Sequence, residues 1–232
     1  MSLEPGTENT NASVRFFEPY LFDLPYCAGY DLRDVPLVVP GQFEGRMPFA
    51  AVDLAPISKI MGRKIEAVFG GDLLGHMGIV VNSGRRTVQF GPSGKMTVPP
   101  VITPIALANP RPQVEVTIAG KPMLVTIDLG SNSALSLTPE AWARLGLKDV
   151  KFKSMPTAHA EGEVHLMDVT QLPEARIGQV TRRNVTVSVR PWPAETGDGV
   201  AGVGLFRDAD FGLDIKAGKL WLIPRLPSTP AK

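Results

Sequence analysis

The sequence predicts a mainly β protein built from two lobes of one kind, and three observations carry that prediction. The apolar runs are short, rich in valine, isoleucine and leucine, and punctuated by 22 prolines and 23 glycines in 232 residues, which is the pattern of many brief strands. Where a run can be read singly, as in Gln113-Val114-Glu115-Val116-Thr117-Ile118, polar and apolar positions alternate with the period of two that turns one face of a strand inward. The third observation is an internal repeat. YDLRDVPLVV (30–39) followed by VFGGDLLGHMGIVVNSGRRTVQFGP (68–92) answers to VTRRNVTVSV (180–189) followed by VAGVGLFRDADFGLDIKAGKLWLIP (200–224). Each copy offers a β-branched strand, two apolar residues and a glycine (Val68-Phe69-Gly70, Val200-Ala201-Gly202), and a short helix containing leucine. Each closes with a hairpin whose turn holds a glycine beside a base, Gly84-Arg85 or Gly218-Lys219.

Taken in order, residues 1–13 are polar and read as a disordered leader; they lack the positive segment and apolar core of a secretory signal. Residues 14–92 form an incomplete first lobe. Residues 93–112 connect the lobes, because proline recurs there too often for a helix or a central strand. The second lobe spans 113–225, and 226–232 is a tail. Within it QVEVTIAGKPMLVTID (113–128) is a hairpin turning at Ala119-Gly120-Lys121. TPEAWARLGL is a short helix with Thr138 as N-cap, Pro139 in its first position, Glu140 where the helix dipole favours an acid, and Gly146 at its end. Residues 151–189 alternate again and read as two or three strands with a turn near Glu161-Gly162.

Composition excludes several functions. A net charge of +1 gives no attraction for nucleic acid or an anionic membrane, and no run approaches the roughly 18–20 apolar residues of a spanning helix. Cys27 is the sole cysteine, so no internal disulfide forms and the compartment stays open: cytoplasmic, or periplasmic or secreted if the N-terminus is truncated. Asn11-Ala12-Ser13 and Asn184-Val185-Thr186 fit the glycosylation sequon, a triplet common by chance.

The chemistry centres on LVTIDLGSNSALSL (124–137), where an apolar run delivers Asp128 and Gly130 follows. A carboxylate at a strand end, followed by glycine, can sit in a tight turn whose backbone approaches a ligand closely. Two such turns face to face place two carboxylates together, and repulsion keeps one protonated while the other is ionised. The ionised one then activates a water, and the protonated one polarises a carbonyl.

This order of elements resembles the retropepsin-like aspartic proteases, in particular the bacterial aspartyl protease family, over 113–224 and over the later part of a second lobe at about 30–92. The resemblance implies an acid-protease fold of closed β-barrel lobes with short helices, hydrolysis of a peptide or protein substrate, and no cofactor or metal. It assigns Asp128 as catalytic acid/base and Leu129, Gly130 and Ser131 as its supporting loop. A hairpin flap would carry His159, Glu161 and Gly162, and Val200, Ala201 and Gly202 would lie behind the loop. Two departures stand out. Asp23 and Asp53 also precede leucine, yet neither has glycine at the third position, and the first-lobe counterpart of Asp128 falls before residue 1. The second carboxylate would therefore come from a homodimer partner or from a missing N-terminal segment. Leu129 stands where the family usually has threonine or serine, whose hydroxyl locks the two loops together.

Plainer readings stand beside these. Asp128 could be a turn residue, since Asp bonds locally in turns. Ser131 and Ser133 lack a nucleophile-elbow sequence, and His76, His159 and His165 complete no metal cluster. Gly70-Gly71-Asp72 is not followed by the Gly-Lys-Ser/Thr of a phosphate loop. Trp142, Trp192 and Trp221 are most simply core or interface residues. Two functions follow: an aspartic endopeptidase, or a catalytically silent relative that binds extended peptides or a protein partner in its cleft.

Overall fold

The structure is a computed structural model, and it describes residues 14–16, 28–39, 43–51, 53–97, 102–104, 106–108, 111–158, 164–207 and 209–224. The chain divides into two compact units, residues 1–68 with 158–163, and residues 69–157 with 164–232. In the first unit β1 (Val14–Phe16), β2 (Ala28–Val39) and β3 (Phe43–Ala51) form an antiparallel sheet. Helix α1 (Ala55–Met61) follows, with Pro56 in its first turn and Gly62 ending it at φ +62°. None of the described residues from 32 to 68 is fully buried, and the buried hydrophobic cluster found among the described residues lies in the second unit.

That unit begins with α2 (Gly71–Leu74), β4 (Met77–Asn82) and β5 (Thr87–Pro92). Two short strands follow, β6 (Ile102–Pro104) and β7 (Ala106–Ala108). β8 (Arg111–Ile118) and β9 (Lys121–Asp128) are the predicted hairpin. Its two-residue turn, Ala119-Gly120, has φ of +48° and +76°, the geometry that matches the twist of the strands it joins. After β10 (Leu135–Leu137) comes α3 (Pro139–Leu145), capped as the sequence predicts: the Thr138 hydroxyl accepts the Ala141 N–H, and Gly146 takes φ +68°. β11 (Lys153–Ala158), β12 (Val164–Ile177) and β13 (Val180–Val189) fill the alternating stretch. β14 (Gly199–Gly202), β15 (Ala209–Asp214) and β16 (Lys219–Pro224) complete the chain.

The fold is mainly β, as its composition predicts. The larger sheet runs β11-β12-β13-β10-β14-β9-β8-β7, and a further pairing of β12 with β8 brings its ends together. That pairing consists of Ala175↔Ile118 and Arg176↔Thr117. The barrel expected from the resemblance is thus closed through two residue pairs, with β7 and β11 outside the ring. Its interior holds Val114, Val116, Ile118, Met123, Val125, Ile127, Leu135, Leu137, Leu172, Ile177, Val185, Val187 and Ala201, with Ala141 and Leu145 of α3 against them. Consecutive strands β9 and β10 do not touch. β14 lies between them, parallel to β9 and antiparallel to β10, so the chain from Asp128 to Leu135 must arch over the end of β14.

The second sheet, β5-β4-β15-β16-β6, joins the two copies of the sequence repeat. One constant offset relates Gly70 to Gly202, Val80 to Gly212, Asn82 to Asp214 and Pro92 to Pro224. β4 and β15 pair antiparallel with Val80 opposite Gly212, so the equivalent residues meet on a local pseudo-two-fold axis. The hairpin turns obey the same symmetry. Asn82 accepts the Arg85 N–H at 2.8 Å and Asp214 accepts the Ala217 N–H at 3.0 Å. The left-handed position is held by Arg86 (φ +56°) in one turn and Gly218 (φ +63°) in the other. Matching Gly84 to Gly218, as the sequence invites, is therefore two positions out of register. Trp221 lies flat on Gly212, where an added Cβ would come 1.8 Å from Cε2 of the indole. The short strands β6 and β7, from the proline-rich segment 93–112, take outer edges of the two sheets, where the missing N–H of Pro104 in β6 is tolerated. No helix among the described residues is long and apolar enough to cross a membrane.

Candidate active site

Asp128 ends β9, directly opposite Gly202 of β14. Its carboxylate is partly buried and its Oδ1 accepts the Gly130 N–H at 2.8 Å, which is the strand-acid-glycine turn expected of it. Burial raises its pKa above the ordinary 3.8, and the N–H groups of Gly130 and Ser131 oppose that rise. The carboxylate is therefore held in a place where taking up a proton is easier than in water, as acid/base chemistry requires.

The arch is fastened from behind by backbone. Val203 donates to the Ser131 carbonyl at 2.8 Å, Gly204 to Ser133 at 3.0 Å and Gly202 to Ala134 at 3.3 Å. This proximity leaves no room for side chains. A Cβ at Gly202 would stand 2.5 Å from the carbonyl oxygens of both Ser131 and Ser133, and one at Gly204 would stand 2.6 Å from that of Asn132. Val200 and Ala201, just before, are buried, Ala201 within the core cluster. The Ser131 and Ser133 hydroxyls bond each other at 2.8 Å, which stiffens the arch. Leu129 is half-buried and packs against the core cluster.

The remaining candidates fall elsewhere. His159, Glu161 and Gly162 lie outside the described residues, between β11 and its neighbour β12. His165 is exposed on β12 and His76 is exposed after α2. Asp23 lies outside the described residues, and Asp53 is exposed and accepts the Ala55 N–H at 2.8 Å at the start of α1. Among the described residues no three His, Cys, Asp or Glu side chains gather as a metal site.

One feature escaped the sequence reading. A pocket of about 640 Å³ adjoins the arch, with Asn132, Ser133 and Gly204 on one side and Gln171, Arg182, Arg183, Asn184 and Thr186 of β12 and β13 on the other; Arg207 also lines it. Burial lowers the pKa of Arg182, and the charge of Arg207 lowers it further. In the sequence Arg182 and Arg183 are merely two polar positions of a strand, and Arg207 lies 3 residues past Gly204, so only tertiary structure brings them together.

The sequence model of the aspartyl protease family matches residues 114–205. The crystal structure of a retropepsin-like aspartic protease from Rickettsia conorii is similar, at 19% sequence identity and a TM-score of 0.40, over 53% of this chain and 88% of that one. No curated protein sequence shows significant similarity. From Val114 to Leu205, the stretch that carries Asp128, its arch and the glycine strand beside it, this chain is similar to the aspartyl protease family.

Proposed function

We propose that the protein is an aspartic endopeptidase in which Asp128 supplies one of two carboxylates that activate a water against a peptide bond. The observation that supports this most is the arch itself: a partly buried carboxylate with a raised pKa, held by the Gly130 N–H and backed by Gly202 and Gly204. In the reaction the ionised carboxylate takes a proton from the water as it attacks the carbonyl carbon, and the protonated one donates to the carbonyl oxygen. Proton return to the amide nitrogen accompanies cleavage of the carbon–nitrogen bond. Neither Asp23 nor Asp53 is followed by the glycine of an Asp-x-Gly turn, and the opposing acid of this reading is Asp128 of a second chain. β4 already lies along β15. A symmetric partner would therefore meet this chain elsewhere than at that ladder.

The reading of a silent peptide-binding module is favoured by Leu129, which offers no hydroxyl to the opposing loop and packs inward instead. Cleavage of a mixed peptide library across protein concentration and from about pH 3 to 7, beside sedimentation, decides between them. The peptidase reading expects cleavage strongest at acid pH and abolished by Asp128→Asn. Activity that rises with concentration assigns the second acid to a second chain. No cleavage at any pH by protein shown to be dimeric would establish the silent module.

A further inference from the structure

We propose that Asp198 is a positioning residue for the Asp128 arch: it fixes the register in which β14 lies against β9, and so sets which residue stands behind the carboxylate. Its kinetic consequence rests on the peptidase reading above. Asp198 immediately precedes β14, the strand inserted between β9 and β10. It holds β9 at a single residue with both backbone and side chain. The Asp198 N–H donates to the Leu124 carbonyl at 2.7 Å, and the Leu124 N–H donates to Oδ2 of Asp198 at 2.9 Å. On the other side the Asp198 carbonyl accepts the Thr138 N–H at 2.9 Å, just past the end of β10. The remaining carboxylate oxygen, Oδ1, meets Nη2 of Arg144 in α3 at 2.6 Å.

The neighbours of Asp198 admit the strand without choosing its register. Gly197 and Gly199 take φ of +72° and +147°. A Cβ on the first would stand 2.6 Å from the Leu124 carbonyl oxygen, and one on the second 2.1 Å from that of Ser136. Glycine allows this approach but adds no side-chain contact, whereas the Asp198 carboxylate makes a charge-assisted bond to one particular backbone N–H. From that point the pairs run without a break, Gly199↔Val125, Val200↔Thr126, Ala201↔Ile127 and Gly202↔Asp128. A slip of one residue would set Ala201 or Val203 opposite Asp128, in the place where a Cβ meets the Ser131 and Ser133 carbonyls at 2.5 Å. The ion pair is the lesser part of the anchor, because the Arg144 side chain is 51% exposed and solvent screens such a pair. Asp198 thus acts on the arch from about 13 Å away, through four residues of strand.

Amide hydrogen exchange tests this without reference to cleavage. In Asp198→Ala the N–H groups of Val203 and Gly204, which hold the arch, should exchange about tenfold or more faster, while those of the β15–β16 ladder keep their wild-type rates. Asp198→Asn retains an acceptor for the Leu124 N–H, and Arg144→Gln removes only the ion pair, so both should keep most of the protection. In cleavage the Ala variant should lose about tenfold or more in kcat with KM changed by less than about twofold, and the Asn variant should recover most of kcat. Asp214→Asn is the control for lost stability alone, since its bonds to Ser93 and Gly94 lie at the second sheet; it should melt earlier without the loss in kcat. Should the Ala variant not fold, Asp198→Glu keeps the charge but carries it one methylene past the Leu124 N–H, and should speed the same two amides by about threefold or more. Wild-type exchange at Val203 and Gly204 in these variants, equal acceleration of every amide, or an Asn variant as impaired as the Ala variant would overturn the proposal. Protection lost at the arch in a protein that cleaves nothing would leave the role of Asp198 standing while the peptidase reading falls. Cleavage by the wild type, with arch protection unchanged in the Ala variant, would do the reverse.

Discussion

Replacing Gly202 by alanine tests the claim that the arch rests on bare backbone. The new Cβ would stand 2.5 Å from two carbonyl oxygens, those of Ser131 and Ser133. Carbon and oxygen ordinarily approach no closer than about 3.3 Å, so the arch must retreat by about 0.8 Å. Neither oxygen belongs to a side chain that could swing away, and Val203 and Gly204 hold both by hydrogen bonds. Overpacking of this kind costs about 1–3 kcal/mol, and weakening one or two backbone hydrogen bonds adds about 1 kcal/mol each. A loss of about 2–5 kcal/mol is expected in urea unfolding, with the midpoint falling by about 1 M or more. Displacing Asp128 by this much should also lower cleavage, or peptide binding if the protein is silent, by up to about 100-fold. Gly71→Ala serves as control, since no atom lies within 4 Å of its Cβ position and α2 begins there. That change should be neutral or slightly stabilising. If Gly202→Ala unfolds at the same urea concentration as Gly71→Ala and keeps wild-type function, the arch does not depend on the glycine.

Other consequences are equally measurable. Burial raises the pKa of Asp128, so its folded form resists ionisation and stability falls as pH rises above the ordinary 3.8; Asp128→Asn should raise the thermal midpoint at neutral pH, with the gain vanishing below about pH 3. Asp214 has the opposite sign: burial pushes its pKa up, but hydrogen bonds from Ser93, Gly94 and Ala217 and the charge of Lys219 outweigh this and lower it. Its contribution is therefore present above 3.8 and lost as pH falls; Asp214→Asn should destabilise by about 2–3 kcal/mol in neutral urea titrations, and by less in acid. Thr138→Ala removes the hydroxyl that accepts from Ala141 and should cost about 1 kcal/mol by thermal melting.

What the sequence disclosed was local. Thr138, Pro139 and Gly146 mark the ends of α3 because capping is decided within a turn of chain, and Ala119-Gly120 marks the β8–β9 turn because few residues accept positive φ. Asp128-Leu129-Gly130 could be read as a strand-end carboxylate for the same reason. The repeat was legible in the sequence, yet its register was not, since Arg86 occupies the left-handed position that Gly218 takes without strain. The insertion of β14 between β9 and β10 left no periodic mark, so the close contact of Gly202 and Gly204 with the arch had no signature beyond the glycines themselves. The arginine pocket was hidden for a related reason: alternating strand residues show which side chains share a face, never which distant turn comes to meet them.

The β4–β15 ladder sets the order in which the molecule can assemble. Its pairs join residues far apart in sequence; the Ser83 N–H, for instance, bonds Asp210 from 127 positions away. Closing a loop of that length costs about 4 kcal/mol in its logarithmic part alone. The β8–β9 and β12–β13 hairpins, with turns of two residues, close first. β4 is synthesised early and must wait, with one edge unpaired, until β15 arrives. During that interval the barrel bearing Asp128 can already be folded, so docking of the two hairpins should appear as a separate slow refolding phase. A chain stalled there exposes a β edge open to the wrong partner, and aggregation in refolding experiments should therefore begin at β4.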